Sequence, residues 1–279
     1  MGYTRSEANA LRVDGIPVTV VEPRTRDLAD AIRRFRPSVV LNLAAAGVTS
    51  AVTPDQLEAG NSGVVNAIMD SAVDSGVELV VHAGTWSQYG PIVSVDPLAE
   101  DHPQHSATPY GLAKARAETI GLSRSASSGT RFLSLRLFNV YGPGEARHRL
   151  IPTIASHLGK GERVPLTEGH QIRDFVYVDD VVSAFKATLR TGIPDSGVFN
   201  IATGVGTAVR EMAQLAARCM SVEDDRLAFG ALDSRVDEPS VVIGDSTRFR
   251  TAFGWTPKFP VTSGVCDTVE WAAKGANLP

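Results

Sequence analysis

Tyr110 and Lys114 stand four residues apart in Thr108-Pro109-Tyr110-Gly111-Leu112-Ala113-Lys114, a spacing that on a helix sends both side chains out from one face. Thr108 suits the N-cap, and Pro109 suits the first helical position, where a missing N–H costs nothing. Tyr110 therefore falls in the first turn. A protonated lysine beside the phenol, together with the positive end of the helix dipole, is expected to lower the phenol pKa toward working pH and make Tyr110 an acid/base. A third group, Thr85, lies in His82-Ala83-Gly84-Thr85-Trp86-Ser87-Gln88-Tyr89-Gly90. It follows directly on an apolar run, where its hydroxyl could hydrogen-bond the oxygen that Tyr110 protonates or deprotonates. The plain alternatives are a tyrosine packed on the core beside a solvated lysine, and a threonine that caps a loop.

These groups need a scaffold. Short apolar runs at 18–21, 38–43, 78–82 and 132–138 alternate with helical periodicity at 28–35, 55–75 and 109–125. That rhythm predicts parallel strands buried on both faces, with helices as crossovers, in a doubly wound, Rossmann-like α/β sheet. After Val140 the rhythm breaks at Tyr141-Gly142-Pro143-Gly144 and the polar stretch 145–149. Helices are expected at 151–158, 209–220 and 265–273, and a late strand at 198–201. The expected division is a dinucleotide-binding domain over 1–140, joined by about 171–203, and a smaller C-terminal substrate-binding lobe from 141–170 and 204–279. The ligand belongs at the carboxyl ends of the strands, between sheet and lobe.

Composition narrows the function. The 279 residues are 43% hydrophobic and 21% charged, with a formal net charge of -4. No basic stripe marks a nucleic-acid binder. No apolar run is long enough to span a bilayer, and the first thirty residues lack an h-region, so a cytoplasmic protein with a small-molecule ligand is expected. Cys219 and Cys266 lack CxxC spacing or nearby His pairs, which argues against both a disulfide framework and a zinc site and fits a reducing compartment.

The order of motifs resembles the extended short-chain dehydrogenases/reductases, the NAD(P)-dependent enzymes that epimerise, dehydrate or reduce nucleotide-diphosphate sugars. Carrying the resemblance are Leu41-Asn42-Leu43-Ala44-Ala45, Asn61, the Thr85 loop, Tyr110/Lys114, Arg136-Leu137-Phe138-Asn139-Val140-Tyr141-Gly142-Pro143, Arg173-Asp174-Phe175-Val176-Tyr177-Val178-Asp179-Asp180 and Gly254-Trp255-Thr256-Pro257. The resemblance implies Tyr110, Lys114 and Thr85 as catalytic residues. It implies a cofactor, NADP or NAD, bound by Arg5, Leu43, Ala44, Ala45, Asn61, Lys114 and Phe138. Substrate contacts fall to Thr85, Trp86, Asn139, Arg173 and Arg235, the two arginines gripping the diphosphate as guanidinium forks do. Dehydratases of this family carry an acidic pair after the threonine, where this chain has Trp86-Ser87. That disfavours dehydration and leaves 4-keto reduction, in deoxysugar biosynthesis, or epimerisation. The helices at 55–75 and 109–125 could pair two copies into a homodimer, as in many relatives.

One part of the pattern is missing. A dinucleotide-binding sheet opens with a strand, a GxxGxxG-type turn and a helix, and no such turn occurs here. Residues 1–6 resemble the tail of a second strand, with Arg5 where some relatives meet a 2′-phosphate. About 30 residues, a strand-helix unit and most of another strand, are expected to be absent, so the sheet is N-terminally truncated. The competing reading is a cofactor-free sugar-nucleotide-binding or structural protein derived from this fold.

Overall fold

The computed structural model describes residues 2–3, 20–21, 25–47, 52–190, 195–234 and 238–274. Strands β1 (Gly2–Tyr3) and β2 (Val20–Val21) pair in parallel. Next come α1 (Thr25–Phe35), β3 (Val39–Asn42) and a helix α2, in which Pro54–Glu58 and Val64–Ser75 are joined by one π-helical turn, Ala59–Gly63. The series continues with β4 (Leu79–Thr85), α3 (Pro109–Ala126) and β5 (Arg131–Leu137). Strands β3, β4 and β5 run parallel side by side, and a later strand, β9 (Gly197–Ile201), extends them to four in the order β3-β4-β5-β9.

The alternation of side chains along these strands builds two apolar layers. Val80 and Phe132 face Leu28, Ile32, Val65, Ile68, Met69, Ala72 and Ala117 of α1 to α3. Leu79, Val81, Leu133 and Leu135 face the opposite layer, with Phe199, Ile201 and Trp255. Helices thus cover both faces, as the doubly wound reading expects.

Beyond β5 the chain forms β6 (Asn139–Tyr141), α4 (Leu150–Gly159), β7 (Val164–Leu166), β8 (Ile172–Tyr177), α5 (Val178–Ala187) and β9 (Gly197–Ile201). Then follow β10 (Gly206–Ala208), α6 (Val209–Cys219), β11 (Leu227–Phe229), β12 (Val241–Val242), α7 (Thr247–Phe253) and α8 (Val261–Ala273). A second sheet gathers β10, β8 and β12, with β6 also paired to β8, and β11 pairs with β7. Tyr141, Ile151, Ile154, Met212, Ala213, Val265 and Val269 fill a separate core among α4, α6 and α8. The second sheet and helix α5 are absent from the sequence reading, because β8 is half apolar and its ladder partners are two or three residues long.

Two buried acidic residues are structural braces. Asp174 accepts from the Thr203 hydroxyl at 2.6 Å and from the amides of Thr203, Gly204 and Gly244. Asp180 accepts from the amides of Lys258 and Phe259. These contacts tie the lobe to the sheet.

The expectation of unpaired cysteines fails: Cys219 at the end of α6 and Cys266 in α8 form a disulfide, with Cα atoms 5.2 Å apart. The reason is tertiary, since the two helices lie against one another around Ala213, Ala216, Val265 and Val269. Among the described residues no helix is long and apolar enough to cross a membrane, and no cluster of His, Cys, Asp or Glu is grouped to hold a metal ion.

Candidate active site

Helix α3 starts as its sequence predicts. Thr108 Oγ1 accepts from the Gly111 amide at 3.1 Å and Pro109 occupies the first turn. Gly111 explains how close this start can come to β4: a Cβ there would collide with the Ser87 carbonyl oxygen and the Ser106 hydroxyl. The first turn of α3 therefore sits directly on the 3-10 turn Trp86–Gln88 that follows Thr85.

Lys114 is 2% exposed, and its Nζ donates to the Ala83 carbonyl at 2.7 Å. It thus reaches the carboxyl end of β4, two residues before Thr85. Burial pushes its pKa from 10.5 down to about 8. One turn further along the same face, Glu118 forms a buried ion pair with Arg136 of β5, at 2.6 Å from Nη2 and 3.1 Å from Nε. Glu118 also accepts from the Ser134 hydroxyl at 2.6 Å and from Gln104 at 2.8 Å. Removing one partner of such a pair leaves an uncompensated buried charge, so this network locks the register of α3 on the sheet.

The electrostatics of Tyr110 differ from expectation. Burial raises its pKa, and the cation that opposes the rise is Arg149, not Lys114. Lys114 turns inward to Ala83, and burial favours the protonated phenol. Arg149 in turn pairs with Glu145 at 3.5 Å. The Glu145 side chain is 11% exposed, one of its oxygens has no partner, and burial lifts its pKa to about 7 against the opposing charge of Arg149. This pair falls in the polar stretch that the sequence marked only as a break in rhythm.

Thr85 does cap its loop: Oγ1 accepts from the Ser87 amide at 3.3 Å and lies 3.1 Å from the Ser87 hydroxyl. The same hydroxyl is at the strand's carboxyl end, level with Leu137 of β5. Trp86 is half-buried against the apolar layer of the sheet.

The residues expected to hold a dinucleotide divide. Leu43 and Ala45 are exposed just past β3, and Asn42 holds the backbone between them by accepting from the Ala44 amide at 3.2 Å. Gly60, in the π-helical turn, packs so closely on Ala46 that a Cβ would meet that side chain. This puts Asn61 of the same turn, buried with Oδ1 unpartnered, next to the loop after β3. Phe138 instead lies in the core, 3% exposed. Arg5 and Arg235 lie outside the described residues.

Among the residues expected on the substrate side, Asn139 donates to the Asp174 carbonyl at 3.3 Å. Arg173 is buried and paired with Glu238 at 2.7 Å, not with neighbouring Asp174. The sequence reading missed Glu238, Glu118 and His82. The last gave a signal, an imidazole in the middle of an otherwise apolar strand.

The chain is 32% identical over 161 residues to CDP-abequose synthase from Salmonella typhimurium, a match covering 56% of this chain and 54% of that protein. The chain thus spans about half the length of that relative. It is 29% identical over 255 residues to a UDP-glucose 4-epimerase of Mycolicibacterium smegmatis, covering 88% of this chain and 79% of the relative. Among solved structures, MoeE5 in complex with UDP-glucuronic acid and NAD superposes with a TM-score of 0.81 at 28% identity, covering 94% of this chain and 89% of that one. The model of the NAD dependent epimerase/dehydratase family matches residues 4–202. A match over that much of the chain, on a sheet with helices on both faces and Tyr110 and Lys114 at its carboxyl edge, makes the chain a member of the NAD dependent epimerase/dehydratase family.

Proposed function

We propose that the chain is the catalytic body of an NAD- or NADP-dependent oxidoreductase/epimerase of nucleotide-diphosphate sugars, with Tyr110 as acid/base. The observation that carries this reading is a buried ammonium, Lys114 Nζ, brought to the carboxyl end of β4, where the tyrosine-bearing helix abuts the Thr85 turn. Proteins rarely bury a lysine whose charge has no carboxylate partner unless the site uses it.

The residues present fit the nicotinamide half of a dinucleotide. The exposed Leu43 and Ala45 offer an apolar surface at the end of β3, and Lys114 offers a cation for a ribose hydroxyl. Held there, a nicotinamide would supply hydride transfer to or from the sugar carbon. Tyr110, whose protonated form burial favours, would give its proton to the sugar carbonyl oxygen as that carbon receives hydride and take a proton back when the alcohol is oxidised, and Thr85 would orient that oxygen through its hydroxyl hydrogen. Trp86-Ser87 stands where dehydratases of the family carry an acidic pair. Keto reduction or epimerisation is therefore favoured over dehydration. Arg173, with Arg235, would grip the diphosphate, and Asn139 would contact the substrate. Arg173 would share its guanidinium between Glu238 and phosphate. The complexes of similar proteins with NAD and UDP sugars support these ligand classes. A homodimer completes the reading, and the Cys219–Cys266 disulfide removes the cysteine argument for a reducing, cytoplasmic setting.

The test is fluorescence titration of the purified chain with NADH and NADPH, followed by turnover of a UDP- or dTDP-4-keto sugar. Tyr110→Phe is expected to abolish turnover while leaving sugar-nucleotide affinity within about threefold, because the phenol acts on the transition state. No saturable dinucleotide binding, with sugar-nucleotide binding intact, would instead favour the cofactor-free binding protein.

A further inference from the structure

We propose that His82 is a positioning residue for the dinucleotide loop: a neutral imidazole that fixes the Asn42 carboxamide and, through it, the backbone at Leu43–Ala45. The inference rests on the functional reading above, which assigns that loop to the cofactor.

The hydrogen-bond directions follow from one fixed donor. The Ala44 amide can only donate, so the Asn42 atom facing it at 3.2 Å is the oxygen. Asn42 Nδ2 must then face His82 Nδ1, at 3.0 Å. An amide nitrogen can only donate, so Nδ1 must carry the lone pair and the ring proton must sit on Nε2. His82 is fully buried, and its Nε2 has no partner. The ring stacks on Phe132 with centroids 5.9 Å apart. Its strand neighbours, Asn42 on β3 and Ser134 on β5, have committed side chains, the serine hydroxyl donating to Glu118. A strand position 0% exposed is normally apolar. Here it carries an imidazole whose one made hydrogen bond holds the side chain that shapes the loop.

The chain of contacts makes a structural prediction separable from general stability. His82→Phe keeps an aromatic ring against Phe132, at slightly larger volume, but leaves the Asn42 amide donor unpaired. His82→Asn keeps an acceptor near the Nδ1 position. Three measurements on the full chain test the proposal. Nitrogen-15 NMR of the imidazole is expected to report the neutral Nε2–H form; an Nδ1–H form or an imidazolium at pH 7 would overturn it. Hydrogen exchange at the Ala44 amide should speed up about tenfold in His82→Phe, the size expected for loss of one buried hydrogen bond, and return toward the parent in His82→Asn. NADH or NADPH affinity should fall about tenfold in His82→Phe and recover in His82→Asn. Affinity equal to the parent in His82→Phe, or loss in both variants in step with thermal midpoint, would leave His82 a core residue only. If the unsubstituted chain binds no dinucleotide, the functional reading fails and the positioning role falls with it. An unprotected Ala44 amide in the unsubstituted chain would instead remove the clamp alone.

Discussion

Replacing Lys114 with methionine should make this protein more stable at neutral pH while removing its function. Lys114 is 2% exposed and donates to Ala83 O, and burial moves its pKa from 10.5 to about 8. The depression measures a penalty of about 3 kcal/mol on the buried ammonium relative to the unfolded chain. The sign follows from proton counting. Between about pH 8 and 10.5 the unfolded chain binds more protons at this site than the folded one, so stability rises with pH through that window. Below pH 8 both states hold the proton and the full penalty applies. Methionine fills a similar volume without charge. It recovers the penalty and forfeits one hydrogen bond worth about 1 kcal/mol, for a net gain of about 2 kcal/mol at pH 7. Urea unfolding at pH 7 and at pH 10 measures this directly. The variant should gain at pH 7, and its stability should lack the rise between pH 8 and 10.5, while dinucleotide affinity and turnover collapse. A Lys114→Met variant less stable than the parent at pH 7 would refute the reasoning, because it would make the lysine a net structural contributor.

Other perturbations have equally definite signs. Reducing Cys219–Cys266, which closes a loop of 47 residues, should remove about 4 kcal/mol by the chain-entropy argument. Calorimetry with and without dithiothreitol should show the midpoint falling by several degrees, and equal midpoints would contradict the pairing. Glu145 has its pKa raised from 4.5 to about 7, so the folded chain keeps a proton that the unfolded chain releases, and stability falls as pH rises through that interval. Glu145→Gln should recover up to about 3 kcal/mol at pH 8 and nothing at pH 4; a gain of equal size at both values would exclude a titrating carboxyl. Arg149 opposes the burial that raises the Tyr110 pKa, so Arg149→Leu should move the alkaline limb of the turnover profile upward. A limb that stays in place would leave Tyr110 without electrostatic support from that side.

What was legible in the sequence was what one helical turn or one strand encodes. Thr108 and Pro109 announced the start of α3, the four-residue spacing put Tyr110 and Lys114 on one face, and the apolar runs marked β3, β4 and β5. What was not legible depends on distance in space. Cys219 and Cys266 meet only because α6 and α8 pack together. The pull of Lys114 on Tyr110 was misjudged because adjacency on a helix does not reveal which group is drawn inward. Glu238, the partner of Arg173, is 65 residues away along the chain.

The same helix shows how the two kinds of information join. Tyr110, Lys114 and Glu118 follow at i, i+4 and i+8, and along that face burial deepens from a half-buried phenol to a lysine 2% exposed and a glutamate 1% exposed. The inner end is fixed by Arg136, which also lies over the Tyr89 ring at 4.7 Å and reaches the Glu100 carbonyl. The outer end has no comparable anchor and rests on Ser87 only because residue 111 is glycine. A rigid rod fixed at its buried end and steered by backbone contact at the other sets a phenol oxygen to the tolerance that proton transfer demands. On the proposed reading, the ion pair of Glu118 and Arg136 serves Tyr110 by fixing the helix that carries it.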